Sequence, residues 1–474
     1  MRIRILNVNT EKINSVNKQL NCQFLTQLFL VLFTIFMTIL ELIISKRVIY
    51  NLASAIVFTL SYLLVIKILK IRIKNLVYPL ISILIAYLLL KIIFNTIPLL
   101  IFFSFIILII SEMFVNIASN LLKKRNQQNK IFFNSTIFGI TTFIMLCIFS
   151  YFQTSEVVFY NIFNLVLFSA AEIAIILSAT YYLSQNSIKF FSIPVLLALL
   201  VHFLIFDGDA KTIHFFTISI SLATIIAFLS YEFRFLTFDG VIAQFILASL
   251  IFNFGGMKWT LPVMTFFLLS SLLSKLSHTT NAQLFYEKPG IRDSSQVLAN
   301  GGFGGILILI YQFAPSELLY WIYVSFFSVV SADTWATEIG TLGKTKTISL
   351  LTFKKVEQGI SGGVSVPGTV GAVLGAFIIA LSSLIWIRSN EINFIFLITF
   401  TGFFGSVIDS VMGATVQAQY KCNICDKITE RKYHCNNKTV FVKGFNWLNN
   451  NMVNLLSALC GGLIIIFIKE ILKV

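Results

Sequence analysis

The sequence predicts an all-α fold, a polytopic integral membrane helical bundle of about 15 transmembrane helices. Apolar residues make up 57% of the 474 and charged residues only 12%, where a soluble chain carries about 25% charged. The apolar residues arrive in runs of roughly 18 to 25, long enough at about 1.5 Å per residue to cross about 30 Å of hydrocarbon. Basic residues recur in alternate connections, as they do where positive loops are retained on one side of a membrane. Together these observations exclude a soluble enzyme, a disordered chain and a nucleic-acid binder. The formal charge of +15 therefore reads as topology before it reads as affinity for a polyanion.

Residues 1 to 22 are polar and carry Arg2, Arg4, Lys12 and Lys18. The run that follows, near 23–45, is too long for a signal-peptide core and lacks a small-residue cleavage site, so it is expected to be a retained anchor. Further spans are expected near 49–66, 76–93, 97–118, 131–152, 157–183, 188–206, 213–231, 238–254, 259–274, 296–312, 315–333, 366–387, 392–418 and 452–468. Counting from a cytoplasmic N-terminus places on the inside the loops with Lys67 to Lys74, Lys123 to Lys130, Lys275 to Arg292, Lys344 to Lys355 and Lys421 to Lys443. Lys46, Arg47, Lys91, Lys258, Arg388, Lys469 and Lys473 are exceptions. The expected location is the inner or plasma membrane, with the N-terminus and the site loops cytoplasmic.

Composition shifts near residue 235, from apolar and glycine-poor to glycine-rich with long polar loops. Two regions are expected: a polytopic segment over 1–211, whose residues reveal no function, and a second domain over 212–474 with cytosolic loops at 333–365 and 419–450. Six cysteines are scattered, and a disulfide framework is not expected.

The second region holds five constellations. Lys288 to Gly305 is a basic, glycine-containing stretch with Arg292, Asp293, Gln296, Asn300, Gly301 and Gly302. Free N–H groups at a helix start would attract phosphate there, or the glycines would allow tight helix packing. In Ser331 to Gly340, Asp333 and Thr337 share a helix face, whereas Glu338 points elsewhere unless the helix unwinds. Acids at that depth are functional by default or mark the membrane edge. Gly343 to Gly371 sets Lys344, Lys346, Lys354 and Lys355 beside Gly359, Gly362 and Gly363. That loop suits a polyphosphate, or is a solvated positive-inside loop followed by a packed glycine stripe.

In Thr401 to Gln419, residues Gly402, Ser406, Asp409, Gly413 and Gln417 form one stripe down a 3.6-residue helix, and such a stripe faces protein. An unpaired carboxylate at Asp409 would cost several kcal/mol, so it needs a cation, a partner or a proton. Finally, Cys422 and Cys425 make a C-x-x-C knuckle with His434 and Cys435 nine and ten residues on. This is a candidate zinc set or a group of reduced thiols. Asn449, Asn450, Asn451 and Asn454 open the last span, as caps or as ligand contacts.

The ordered run of QVLANGG, SADTWATEIG, SGGVSVPG, GSVIDSVMGATVQ, the C-x-x-C knuckle and NWLNNNMVN over about 212–474 resembles the membrane family that includes plant phytyl-phosphate kinase. The resemblance implies phosphorylation of an isoprenoid monophosphate, of the phytyl or geranylgeranyl class, to the diphosphate by a nucleoside triphosphate, with ATP and CTP both open. Combined with the residues, it assigns Asp333 and Asp409, with Glu338, to Mg²⁺. Lys288, Arg292, Lys344, Lys346, Gly362 and Gly363 fall to phosphates, and Asn300 to Gly302 to backbone amides. The isoprenoid would lie in the bilayer. A transporter or flippase using Asp333 and Asp409 as a cation relay, and nucleotidyl transfer onto a lipid phosphate, are the rival readings.

Overall fold

The computed structural model describes residues 127–153, 156–183, 210–277 and 291–472, except 344, 357, 359, 360, 388–390 and 427, together with scattered positions within 104–115 and 193–201. The expected spans near 23–45, 49–66 and 76–93 lie outside the described residues, and those near 97–118 and 188–206 largely so. The chain divides into two compact units, Met1–Thr217 and Ile218–Val474. In the first, α1 (Gln127–Gln153) packs on α2 (Glu156–Leu183). Ser178 Oγ donates to the Ser135 carbonyl at 2.7 Å. The lone acid Glu172 is buried and accepts from Thr217 Oγ1 at 2.5 Å.

From there α3 (Ala210–Glu232) leads to α4 (Phe238–Leu250), which passes through a π-helical turn, Ile251–Gly255, into α5 (Gly256–Ser277). Five helices follow: α6 (Ser294–Phe313), α7 (Glu317–Thr341), α8 (Val366–Ser383), α9 (Glu391–Thr415) and α10 (Asn450–Leu472). Among the described residues, seven stretches are long and apolar enough to cross a membrane. The protein is mostly helical, with one correction to the all-α expectation. The loop after α7 folds into a three-stranded sheet of β1 (Thr347–Ser349), β2 (Lys355–Val356) and β3 (Gly363–Val364), with β1 central. The loop after α9 forms a second sheet from β4 (Gln419–Lys421), β5 (Ile428–Thr429) and β8 (Val440–Lys443), and a hairpin of β6 (Tyr433–His434) and β7 (Asn437–Lys438).

The centre of the second unit is α7, which touches α5, α6, α8, α9 and α10. Small residues make these contacts close. A side-chain carbon at Gly371 would meet the Trp335 carbonyl at 2.6 Å, and one at Gly375 the Ser331 carbonyl at 2.7 Å. Serines of α7 then bond across the gaps: Ser325 Oγ donates to Thr401 Oγ1 at 2.8 Å and to the Gly461 carbonyl at 3.0 Å, and Ser328 Oγ to the Ile398 carbonyl at 3.0 Å. Such bonds are worth roughly 0.6 kcal/mol each in a bilayer, so close packing dominates. Toward the start of α7, Trp259, Tyr320, Tyr323 and Phe327 pack into a buried aromatic cluster, with Tyr323 Oη donating to the Trp259 carbonyl at 2.6 Å.

The expected loop 333–365 begins later than the sequence reading had it. Residues 333–341 continue α7, because no helix breaker intervenes before Gly340. Two more turns of α7 thus carry Asp333 and Glu338 inside the bundle.

Candidate functional site

A cavity of about 440 Å³ opens where the C-terminal ends of α7 and α9 meet the N-terminal ends of α6, α8 and α10. It is lined by Asp333, Thr337 and Glu338 of α7, Ser406 and Asp409 of α9, Gln296 and Asn300 of α6, and Asn450 and Asn454 of α10. Arg292, Gly362 and Gly363 complete it from the loops. The carboxyl groups of Asp333 and Asp409 lie within hydrogen-bonding reach of each other, and Ser457 Oγ donates to Asp409 Oδ2 at 2.9 Å. Two buried carboxyl groups in that relation need a proton or a cation between them.

The stripe on α9 faces protein throughout. A side-chain carbon at Gly402 would collide with Ser328 and Ala376, and one at Gly413 with Ser361, while Ser406, Asp409 and Gln417 are buried. Lys443 Nζ donates to the Ala414 carbonyl at 2.6 Å, a cation at the negative end of the helix that carries Asp409.

Glu338 lines the cavity although α7 stays helical. Five residues turn a helix by about 140° beyond one full turn, so Glu338 faces α5 while Asp333 faces α9. Its Oε1 accepts from Ser274 Oγ at 2.5 Å, and it attracts Arg292, whose Nη2 lies 3.4 Å from the same Ser274 oxygen. Burial draws the Arg292 guanidinium below the ordinary arginine pKa, and Glu338 opposes that shift. Glu338 is therefore placed to hold Arg292 on the α5 side of the cavity, while Asp333 and Asp409 meet on its α9 side.

Two more expected site contributions, the glycine amides and Lys346, are placed elsewhere by the structure. Helix α6 starts at Ser294, capped by Asp293 with a reciprocal bond from the Asp293 N–H to Gln296. Gly301 and Gly302 thus lie about two turns into it, where backbone N–H groups belong to the helix ladder. They offer no amides to a phosphate; Gly301 instead admits Leu247 of α4, 3.1 Å from where a side-chain carbon would sit. Lys346 is exposed on the loop and lies apart from the cavity lining. Lys288 and Lys344 lie outside the described residues.

The 342–365 loop is held against the site by Gln358, whose Nε2 donates to the Gly340 and Gly343 carbonyls at 2.7 Å each. Gly362 has φ +79° and sits where a side-chain carbon would be 2.3 Å from Ala414 Cβ, so only glycine fits this crossing of loop and α9.

Sequence reasoning passed over Ser274, Gln358, Glu430 and Ser457. Glu430 arrives from the loop after α9, lines the cavity and lies near enough to Asp409 to act on it electrostatically. No local pattern marks it, because the pairing of β5 with β4, Thr429 opposite Tyr420, brings it there. Its loop also gathers Cys422, Cys425, His434 and Cys435, whose ligand atoms all lie within 4.8 Å of one another. The N–H groups of Cys425 and Ile424 draw the Cys422 thiol down to about 6.

A second, apolar pocket of about 70 Å³ lies between α4, α5 and α6, walled by Leu247, Ala248, Val263 and Phe267. Arg292, Gln296 and Asn300 line both spaces. Asn300 Oδ1, Thr347 Oγ1 and Asn454 Oδ1, all on residues of the polar cavity, are buried with no hydrogen-bond partner among the described residues.

The fold and site define a membrane-embedded helical bundle with an acidic polar centre buried at one end and an apolar pocket beside it. The chain belongs to the family described as Integral membrane protein DUF92, which it matches over residues 221–462. It is 27% identical to Protein PGR of Arabidopsis thaliana, over 48% of this chain and 88% of that protein. Uncharacterized membrane protein MJ0933 of Methanocaldococcus jannaschii is 28% identical over 49% of this chain and 84% of its own length. Protein VTE6, chloroplastic, of Arabidopsis thaliana is 28% identical over 50% and 66%. No solved structure matches the chain.

Proposed function

We propose that this protein is an integral membrane kinase that phosphorylates an isoprenoid monophosphate to the diphosphate with a nucleoside triphosphate. The observation that carries the reading is that Arg292, Gln296 and Asn300 line both a polar, carboxylate-bearing cavity and an apolar pocket beside it. A ligand engaging both would be an amphiphile with a charged head and an apolar tail whose first few carbons fill the small pocket, and the resemblance to the family of phytyl-phosphate kinase supports a phosphate head and a prenyl tail.

Three helix N-termini, those of α6, α8 and α10, face the cavity, and their positive dipole ends favour phosphate oxygens. Arg292, oriented by Glu338 and Ser274, supplies a planar donor at the boundary between the polar and apolar spaces. Asn300 and Asn454 keep buried acceptor oxygens with no partner among the described residues, available to a hydroxyl or a hydrated cation.

Asp333 and Asp409 suit Mg²⁺, as a pair of hard oxygen donors on a phosphate-sized cavity. Asp333 and Asp409 would hold the ion, which would supply positive charge to offset that of the transferring phosphoryl group. In the reaction a terminal oxygen of the monophosphate forms a bond to the γ-phosphorus of the nucleotide as the bond to the nucleoside diphosphate breaks. The attacking oxygen is already anionic, so the protein's task is positioning and charge neutralisation. The aromatic cluster of Trp259, Tyr320 and Tyr323 closes the bundle beyond the cavity, which supports a one-sided site over a relay crossing the membrane.

The test is direct. The full chain, purified in detergent, is given phytyl, geranylgeranyl or farnesyl phosphate with Mg²⁺ and each of ATP, CTP, GTP and UTP. A prenyl diphosphate is expected from at least one pairing. No diphosphate from any of them overturns the proposal, and release of pyrophosphate replaces it with nucleotidyl transfer.

A further inference from the structure

The loop after α9 is long and polar, with short strands and little apolar core of its own, yet it delivers Glu430 to a cavity deep in the bundle. Something must hold it in place. Cys422 follows β4 directly, is 1% exposed, and receives the Ile424 N–H on its sulfur at 3.5 Å. This is the turn of a C-x-x-C knuckle. The opposite wall is the β6–β7 hairpin, in which Tyr433 pairs with Lys438 and His434 with Asn437. Its two turn residues, Cys435 and Asn436, have φ of +50° and +57°, the signature of a type I′ turn.

That turn normally takes Asn-Gly, and a cysteine at its first position adopts a backbone that costs about 1 kcal/mol or more. Here it brings Cys435 Sγ to 3.3 Å from His434 Nδ1, while Cys425 Sγ lies 3.5 Å from the same nitrogen. Adjacent residues on one tetrahedral ion look awkward in a list of letters, but the turn removes the difficulty by swinging the two side chains to the same side. Ligands about 2.3 Å from a tetrahedral centre stand about 3.8 Å apart. The four atoms, all within 4.8 Å of one another, need only a small contraction to reach that spacing. Three sulfurs and one imidazole nitrogen, with no open position, suit structural zinc.

We propose that Cys422, Cys425, His434 and Cys435 bind one structural Zn²⁺, and that this ion ties the knuckle to the β6–β7 turn so that the segment between them keeps Glu430 in the cavity beside Asp409. The claim is independent of the reaction proposed above. Zinc would close the nine-residue step from Cys425 to His434, and Glu430 lies in its middle.

The test is metal analysis of the full chain purified in detergent from zinc-supplemented cells. About one zinc per chain is expected, falling to under about a tenth in Cys425→Ser/Cys435→Ser. Replacing zinc by Co²⁺ should give the thiolate-to-cobalt charge-transfer bands of a tetrahedral sulfur site. Chelation should speed tryptic cleavage after Arg431 and Lys432 by about tenfold or more, as a released segment opens. Should the double variant fail to fold, zinc content and the cobalt spectrum of the unaltered chain decide alone. Zinc far below one per folded chain, a different metal in its place, or a disulfide between any two of the three cysteines overturns the proposal. Full zinc occupancy with unchanged cleavage on chelation overturns the positioning of Glu430.

Discussion

Replacing Asp409 by Asn tests the metal role assigned to the paired carboxyl groups. The change keeps the volume, and Asn Oδ1 can still accept from Ser457, 2.9 Å away. What it removes is one charge from two groups in hydrogen-bonding reach. Two unit charges about 4 Å apart at an effective dielectric near 20 would repel by about 4 kcal/mol, a cost that a shared proton relieves in the unaltered chain without Mg²⁺ and the neutral amide relieves in the variant, so without Mg²⁺ the variant should melt no lower than the unaltered chain. With Mg²⁺ at about a hundred times its dissociation constant the unaltered chain gains about 2.7 kcal/mol, and the variant should gain almost none. Turnover should fall by about 10²- to 10⁴-fold, the equivalent of losing roughly 3–5 kcal/mol of charge stabilisation. The assay is a thermal melt in detergent with and without Mg²⁺, paired with diphosphate formation from geranylgeranyl phosphate. An Asn variant that keeps both the Mg²⁺-dependent melting shift and the full rate would refute the reasoning.

Further outcomes are expected. Arg292→Lys keeps the charge but loses the planar fork held by Ser274 and Glu338, so kcat/KM for the prenyl phosphate should drop by about 10- to 100-fold, read by steady-state kinetics. Ala248→Phe should fill the apolar pocket and raise KM for phytyl phosphate by about tenfold or more while leaving the nucleotide KM unchanged. Equal effects on both substrates would show that the pocket is not where the tail lies. Gly362→Ala imposes a side chain at φ +79° against Ala414 and should lower the melting temperature, at a cost of at least about 1–3 kcal/mol.

The parts of the site that were legible share one physical property. Asp333 and Asp409 are charges set in apolar helices, and the cost of burying them marks them without any knowledge of the fold. The α9 stripe was legible for a related reason, since helical period alone places Gly402, Ser406, Asp409, Gly413 and Gln417 on one face. Residues that come to the cavity by loop folding left no such mark. Glu430 sits among charged neighbours in a polar loop and looks like a solvated residue until β4, β5 and β8 pair. The start of α6 was expected near residue 296, two residues late, although a signal was present: Asp293 and Gln296, three apart, form a capping box that sets the first turn at Ser294. The extension of α7 beyond residue 333 was missed because hydropathy, not hydrogen bonding, drew the boundary.

The makeup of α7 bears on how the protein is made. It carries Glu317, Asp333 and Glu338 together with three buried serines, and it is absent from the stretches apolar enough to cross a membrane unaided. An acid at the centre of a segment opposes transfer from the translocon into lipid by roughly 2.5–3.5 kcal/mol, and Asp333 and Glu338, nearer the end of α7, oppose it by less. Among the described helices of the second unit, the one with the most neighbours is thus poorly suited to partition alone, and those that shield its serines, α8, α9 and α10, emerge from the ribosome after it. A nascent chain halted near residue 390 would leave α7 waiting at the insertion machinery, so the centre of the bundle is completed only when the last helix has been synthesised.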